Sequence, residues 1–202
     1  MKFYLVRHVE TTGNVENRFA GVTETQYTPR GLQQFDVLVK RLAAELEVDA
    51  IYSSPISRAN KIAQAVGQRN GLPVVVRPEL SEINFGVFEN QKVENIPETH
   101  QEIWDEWNKD YVHYKIPEGE SLQGFHKRVG IFADEFKDKD GTILVICHGG
   151  PIQSMITHLL DLDVTQRWNF FIPLGGMVEI RYEHGFGTLN RLVSMVDGHG
   201  IL

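Results

Sequence analysis

Leu5-Val6-Arg7-His8-Val9-Glu10-Thr11, close to the start of the chain, is a short apolar run that stops abruptly at a cation and an imidazole. Runs of this kind read as buried strands, and this one delivers Arg7 and His8 to the C-terminal edge of its strand. In open α/β sheets, ligands bind at that edge. The pattern recurs far downstream, where Thr142-Ile143-Leu144-Val145-Ile146-Cys147 runs into His148-Gly149-Gly150. Two strands that each end in a histidine can face one another across one site. Histidine, arginine and a glycine turn gathered there suit phosphate chemistry.

Outward from these two strands (2–7 and 142–147), further strands are expected over residues 49–53, 73–77, 176–182 and 188–195. The last two flank Glu183-His184-Gly185-Phe186-Gly187, a glycine-containing turn that predicts a hairpin. Leu32, Phe35, Val39, Leu42 and Leu46 recur at three- and four-residue steps, one face of a helix. That helix opens on Thr28-Pro29, an N-cap followed by a first-turn proline. Leu122, Phe125, Val129, Phe132 and Phe136 repeat the spacing behind Ser121, and Ser54-Pro55 and Gly150-Pro151 mark two more helix starts. Strands alternating with helices predict an α/β fold, a mostly parallel central sheet with helices on both faces. Residues 84–120 break the alternation. Polar and aromatic, they are expected as a small lid-like insertion over the C-terminal edge, within one domain spanning 1–202. Trp104 and Trp107, three residues apart, suit equally a lid over a substrate or the core of the insertion.

Of 202 residues 42% are hydrophobic, enough for a substantial core. The balance of 20 Lys+Arg against 27 Asp+Glu, net −7, argues against a general nucleic-acid or membrane-surface binder, which would carry a basic face. An acidic chain that binds phosphate does so with a few arginines in a local pocket. Cys147 is the sole cysteine, so no intramolecular disulfide forms and a reducing compartment is expected. Met1-Lys2 passes straight into the first strand with no signal peptide, and no apolar run approaches the roughly 20 residues of a membrane span. A cytoplasmic location is the expectation.

Three further segments add weight. Ser53-Ser54-Pro55-Ile56-Ser57-Arg58-Ala59 puts an arginine on the first turn of a helix after a strand. Ser81-Glu82-Ile83-Asn84-Phe85-Gly86-Val87-Phe88-Glu89 follows the third strand and supplies a carboxylate. Helix N-termini present free N–H groups and partial positive charge, and the Gly149-Gly150-Pro151 turn is the best placed of them. Asp161-Leu162-Asp163-Val164 superficially matches an aspartyl-phosphate nucleophile, but no strand precedes it. Cys147 lacks the arginine six residues on that a cysteine phosphatase requires, since Gln153 stands there. The remaining histidines show no metal-ligand spacing.

Taken together these segments resemble the histidine phosphatase superfamily, also called phosphoglycerate mutase-like. Arg7-His8-Val9-Glu10-Thr11 is similar to its Arg-His-Gly-Glu-Thr signature, with Asn14 at the matching offset. Tyr27-Thr28-Pro29-Arg30-Gly31, Ser53 to Ala59, the acidic segment at Glu82, Pro117-Glu118-Gly119-Glu120-Ser121 and His148-Gly149-Gly150 follow in family order. Val9 stands in place of the signature glycine, and Phe88 and Asn90 stand where the family often has Trp and Gly.

The resemblance implies a phosphomonoester hydrolase. His8 would attack phosphorus as neutral imidazole and form a phosphohistidine, its other ring nitrogen donating to a fixed acceptor such as a backbone carbonyl. Arg7 and Arg58 would clamp the phosphoryl oxygens. His148 would donate to those oxygens as charge builds, with the N–H groups around Gly149 assisting. Glu82 would serve as general acid and then base, and Asn14 and Thr23 would make polar contacts to phosphate. No metal or cofactor is called for, because the cations are side chains. The expected partner is a small-molecule phosphate ester, and a homodimer stays open. Within the family the short chain resembles the alpha-ribazole and broad-specificity bacterial phosphatases. A cofactor-dependent phosphoglycerate mutase and a non-catalytic phospho-ligand binder are the alternatives. Against the mutase, residues 83–120 contain no arginine to hold a second phosphate.

Overall fold

The computed structural model describes residues 1–196. Its framework is a six-stranded sheet built from β1 (Lys2–Arg7), β2 (Ala50–Ser53), β3 (Val74–Val76), β4 (Thr142–Cys147), β5 (Gly176–Glu183) and β6 (Phe186–Ser194). The spatial order is β3-β2-β4-β1-β5-β6. The four strands from β3 to β1 run parallel, β5 lies antiparallel to β1, and β6 returns antiparallel to β5. The expected hairpin turns at His184 and Gly185, whose φ values of 56° and 85° are the left-handed pair that matches a tight hairpin's twist.

Side chains on a strand alternate between faces, and β1 shows the consequence. Phe3 and Leu5 pack under α5 (Leu122–Asp134) and α6 (Gly149–Leu159), among Phe125, Val129, Phe132, Ile152 and Met155. Tyr4 and Val6 pack on the other side under α2 (Pro29–Glu45) and α3 (Ser57–Asn70), among Leu38, Leu42, Ile62 and Val66. The sheet is thus covered on both faces, as expected.

Strand ends shift by one or two residues from the sequence reading, β6 starting at Phe186 inside the expected turn, and two helices differ from it in detail. In α2 the buried stripe is Gly31, Gln34, Leu38, Val39 and Leu42, while Leu32 is 56% exposed. Gly31 takes the inner position because the helix start presses on Glu10, whose carbonyl oxygen would lie 2.0 Å from a Cβ there. The helix after β2 begins at Ser57 and not at Ser54-Pro55, with Ile56 as its N-cap. Thr28 and Ser121 do cap their helices, accepting from the N–H of Gly31 and Gly124.

Residues 84–120 hold short 3-10 turns and α4 (Ile96–Lys109). Their apolar side chains form a separate small cluster, with Phe88, Ile96 and Ile116 buried and Phe19, Trp104 and Trp107 against them. Both tryptophans pack there, each about 6 Å from Phe19 and Phe88. Phe19 and Phe85, in contact at 4.4 Å, are the rings of that cluster that line the neighbouring cavity. Among the described residues no helix is long and apolar enough to cross a membrane.

Candidate active site

Register places the two histidines side by side. Arg7 pairs with Cys147 across β1 and β4, so the next residues, His8 and His148, emerge at the same level of the sheet edge. Their rings meet edge to face with centroids 5.2 Å apart, both buried. His8 Nδ1 lies 2.8 Å from the carbonyl oxygen of Val9, and Nε2 accepts from Arg58 Nε at 3.3 Å. That network fixes the tautomer, with the proton on Nδ1 and the lone pair on Nε2. Val9 is fully buried in the core on the α2/α3 side and does not take positive φ. Its place in the signature therefore needs no glycine here. Asn90, by contrast, does adopt φ 61°, and asparagine tolerates that region next best after glycine.

Arg58 is held almost rigidly. Its Nη1 donates to the Thr23 carbonyl at 2.8 Å, and its Nη2 donates to those of Ala20 and Gly21, both at 2.7 Å. Arg7 Nη1 donates to the Ile172 carbonyl at 2.6 Å. Two buried nitrogens at the site have no protein partner, Arg7 Nε and His148 Nδ1. Buried polar groups are otherwise nearly always satisfied, and orphans on a guanidinium and an imidazole suit an incoming anion. His148 Nε2 lies 2.8 Å from Ser54 Oγ, which also accepts from the Ile56 N–H.

Glu82 reaches across from the loop after β3. Its carboxylate accepts from its neighbour's N–H at Ile83 (3.0 Å) and from the Gly150 N–H (3.1 Å) at the start of α6. A Cβ on Gly150 would sit 2.0 Å from Glu82 Oε1, so only glycine lets the carboxylate in. Gly149 lies against the other arm of the site, where a Cβ would stand 3.4 Å from the Arg7 guanidinium.

Burial sets the electrostatics. It holds the His8 imidazole well below the usual histidine range, and the charges of Arg58 and Arg7 push the same way, against the Val9 hydrogen bond. His148 is lowered likewise by burial and by Arg58. Both are neutral at physiological pH. Burial also lowers Arg7 and Arg58, opposed in each case by the negative charge of Glu82. Burial pushes the Cys147 thiol up, which makes it an inert core residue and not a nucleophile.

His8, Arg7, Arg58, Glu82 and Asn14 line one cavity of about 230 Å³. Asn14 Oδ1 is spent on the N–H and hydroxyl of Thr11, which leaves its amide NH₂ to face outward. Thr23 is turned away, its N–H and hydroxyl donating to Glu89. Its part in the site is the carbonyl that holds Arg58.

Four residues with evident parts were given no part in the site from sequence. Glu89 accepts from the N–H groups of Val22, Thr23 and Phe85 and so ties down the loop that grips Arg58. Gly21 makes room for it, since a Cβ would fall 1.9 Å from the Ile83 carbonyl and 2.3 Å from Glu89. Ser54 orients His148. Arg167 is buried between Phe125 and Trp168, bonded to the Gln153 amide, with Glu82 as the charge that chiefly supports it. Only the acidic position eight residues from the start of the Ser81–Glu89 segment hinted at Glu89, and nothing in the local pattern marked Arg167.

Fold and site together define an α/β protein with two buried histidines and two arginines gathered at the carboxyl edge of its sheet, His8 lining the cavity there and His148 packed behind it. The chain belongs to the histidine phosphatase superfamily (branch 1), whose model matches residues 3–194. It is similar to the adenosylcobalamin/alpha-ribazole phosphatase of Escherichia coli K12, at 30% identity over 98% of both chains. It is also similar, at 30% identity over 80% of this chain and 76% of the other, to a protein of Escherichia coli O1:K1 / APEC named probable phosphoglycerate mutase GpmB. Among solved structures, the alpha-ribazole phosphatase from Shigella flexneri superposes with a TM-score of 0.87 at 30% identity, covering 100% of each chain. The protein is a phosphatase.

Proposed function

We propose that the protein hydrolyses small phosphate monoesters through a phosphohistidine on His8, with Glu82 as general acid and then general base. What carries this reading is the buried His8 ring, anchored through Nδ1 to the Val9 carbonyl so that Nε2 holds the lone pair, with burial disfavouring its protonation. The Nε2 lone pair attacks phosphorus while the P–O bond to the alcohol breaks. Glu82 passes its proton to the departing oxygen. A water then attacks the phosphohistidine, Glu82 takes its proton, and the P–N bond breaks to release inorganic phosphate and restore neutral His8.

The guanidiniums of Arg7 and Arg58 bind the equatorial oxygens, whose charge grows in the transition state. His148 donates to the same oxygens from Nδ1, a tautomer favoured when the Ser54 hydroxyl donates to Nε2. The first N–H of α6, at Gly149, adds its dipole, while that of Gly150 is held by Glu82. Release of phosphate needs no metal, because these groups already carry the charge.

Two of the arginines that a mutase could use for a second phosphate are committed elsewhere. Arg128 is paired with Glu120 and with backbone carbonyls. Arg18 enters the cavity from the α1 side (α1 is Thr12–Val15), a position outside residues 83–120, yet its guanidinium is taken by Glu16 and the Asn90 carbonyl. The deciding experiment supplies 3-phosphoglycerate with a bisphosphoglycerate primer in EDTA. Free phosphate or no reaction is expected. Interconversion of the phosphoglycerates faster than phosphate release would establish the mutase instead, and activity that needs a divalent ion would refute metal independence.

A further inference from the structure

One guanidinium, that of Arg128 on α5, grips the loop that carries Glu82. Arg128 and its partner Glu120 are each about three-quarters buried. Nε and Nη2 fork onto the two Glu120 oxygens at 2.9 and 2.8 Å. Nη1 donates to the carbonyls of Pro78, Glu79 and Ser81 at 3.2, 2.8 and 3.2 Å, and Nη2 reaches the Glu82 carbonyl at 3.5 Å. Four carbonyl oxygens from one short stretch of loop thus converge on a single side chain. Dipoles turned inward in this way repel one another unless a cation stands among them, and a planar fork spreads its donors over all of them.

The last of those contacts matters because of what the same peptide does on its other side. The Glu82 carbonyl and the Ile83 N–H belong to one planar trans unit, so they point opposite ways. Arg128 faces the carbonyl, while the N–H donates to the Glu82 carboxylate at 3.0 Å. Fixing one end of the unit fixes the other. Glu120 completes the clamp from beyond the acid. Its Oε2 accepts from the Asn84 N–H at 3.0 Å, and its own N–H donates to the Asn84 carbonyl at 2.9 Å. The backbone on both sides of Glu82 is therefore tied to one ion pair. The carboxylate's second donor, Gly150, leads back to the same place: the Phe125 ring would lie 3.2 Å from a Cβ on Gly150, and the Arg128 guanidinium sits over that ring at 5.1 Å. Neither Arg128 nor Glu120 lines the catalytic cavity.

We propose that the Arg128–Glu120 pair positions the general acid: it fixes the peptide between Glu82 and Ile83, and that peptide aims the Glu82 carboxylate at the departing oxygen. Both are positioning residues, since neither reaches the reacting atoms. The inference rests on Glu82 being the acid. Loss of the pair hurts the step that needs the proton of Glu82. It spares the binding of phosphate, because Arg7 and Arg58 are held by other elements, through the carbonyls of Ile172 and Thr23.

The test measures kcat/KM for glycerol 3-phosphate and for nitrophenyl phosphate in the wild type, Arg128→Lys, Glu120→Gln and Glu82→Gln. Arg128→Lys keeps a charge among the carbonyls and loses the fork; Glu120→Gln keeps the size and loses the charge. Each should cost the alkyl ester about ten- to a hundredfold, the effect of misplacing a catalytic group by about an ångström. Nitrophenyl phosphate should lose much less, because its leaving group needs little protonation, and inhibition by inorganic phosphate should not change. Added to Glu82→Gln, Arg128→Lys should cost the alkyl ester nothing further, since changes that act on one function are not additive. If Arg128→Lys does not fold, Glu120→Gln decides alone. Equal losses on both esters, no loss on either, weaker inhibition by phosphate, or additive losses in the double variant would overturn the proposal. Hydrogen exchange at the Ile83 amide, read by NMR, separates the two layers. If Glu82→Gln slows both esters alike while Arg128→Lys speeds that exchange, the acid reading fails and the clamp on the carboxylate stands. If Glu82→Gln shows the leaving-group dependence while Arg128→Lys changes neither the esters nor the exchange, the clamp fails alone.

Discussion

His8 and His148 leave adjacent parallel strands at one level, and their rings stand 5.2 Å apart, edge to face, with no water-exposed surface to speak of. Two imidazoles that close, flanked by two arginines, are compatible with folding only while both are neutral. The β1–β4 register thus does more than gather ligands. It holds two imidazoles unprotonated under mildly acidic conditions, as the proposed attack by His8 requires.

That relationship predicts an acid-sensitive fold. In the folded state both histidines titrate well below their unfolded value of about 6.5. As pH falls beneath that value, the unfolded chain takes up protons first. Stability is therefore fully present above pH 6.5 and is lost as pH drops toward the folded pKa values, by up to about 1.4 kcal/mol per pH unit for each histidine. Thermal melts at pH 7.5 and pH 5.5 should show the fall, and His8→Gln should flatten it. An unchanged slope in the variant would contradict the assignment.

Glu82 is assigned to protonating the departing oxygen. Glu82→Gln should slow hydrolysis of alkyl phosphates by about a hundredfold or more, within the usual span for acid–base catalysis. Nitrophenyl phosphate, whose leaving group needs little protonation, should suffer much less. Equal losses on the two substrates would deny Glu82 that part.

Gly150 offers a check through geometry alone. A methyl group there would displace the Glu82 carboxylate, which it would approach to 2.0 Å. Gly150→Ala should reproduce the leaving-group dependence of Glu82→Gln and cost about 1–3 kcal/mol of stability. Full activity on alkyl phosphates would show that Glu82 does not need its present position.

Glu89 acts on the site through the loop that grips Arg58. Glu89→Gln should still allow phosphorylation at His8, more slowly, because Arg58 loses its fixed position. It should weaken inhibition by inorganic phosphate by about tenfold, the effect of loosening one charged hydrogen-bond network. Unchanged phosphate inhibition would make Glu89 purely structural.

Much of this was legible in the chain, and for physical reasons. The strands that carry His8 and His148 are uninterrupted apolar runs, because a central parallel strand is buried on both faces. Thr28 and Ser121 announce their helices through a hydroxyl that caps. Leu32 misled, since its step in the helical pattern was right but the crowded inner position had gone to a glycine. Glu89 and Arg167 stayed hidden because their partners, Thr23 and Gln153, lie 66 and 14 residues away in sequence. Contacts made across the fold leave no periodicity to read. Trp104 and Trp107 could not be assigned from spacing, and it took Phe19, from a distant segment, to draw them into the insertion's core.

The most direct measurement is to trap the phosphoenzyme. Protein mixed with a phosphate monoester and quenched in alkali within the first turnover should carry one phosphoryl group, stable to base and labile to acid, and mapped by peptide mass to His8. His8→Ala should lack both the adduct and turnover. A phosphoryl group on another residue, or full turnover by His8→Ala, would contradict nucleophilic catalysis by His8.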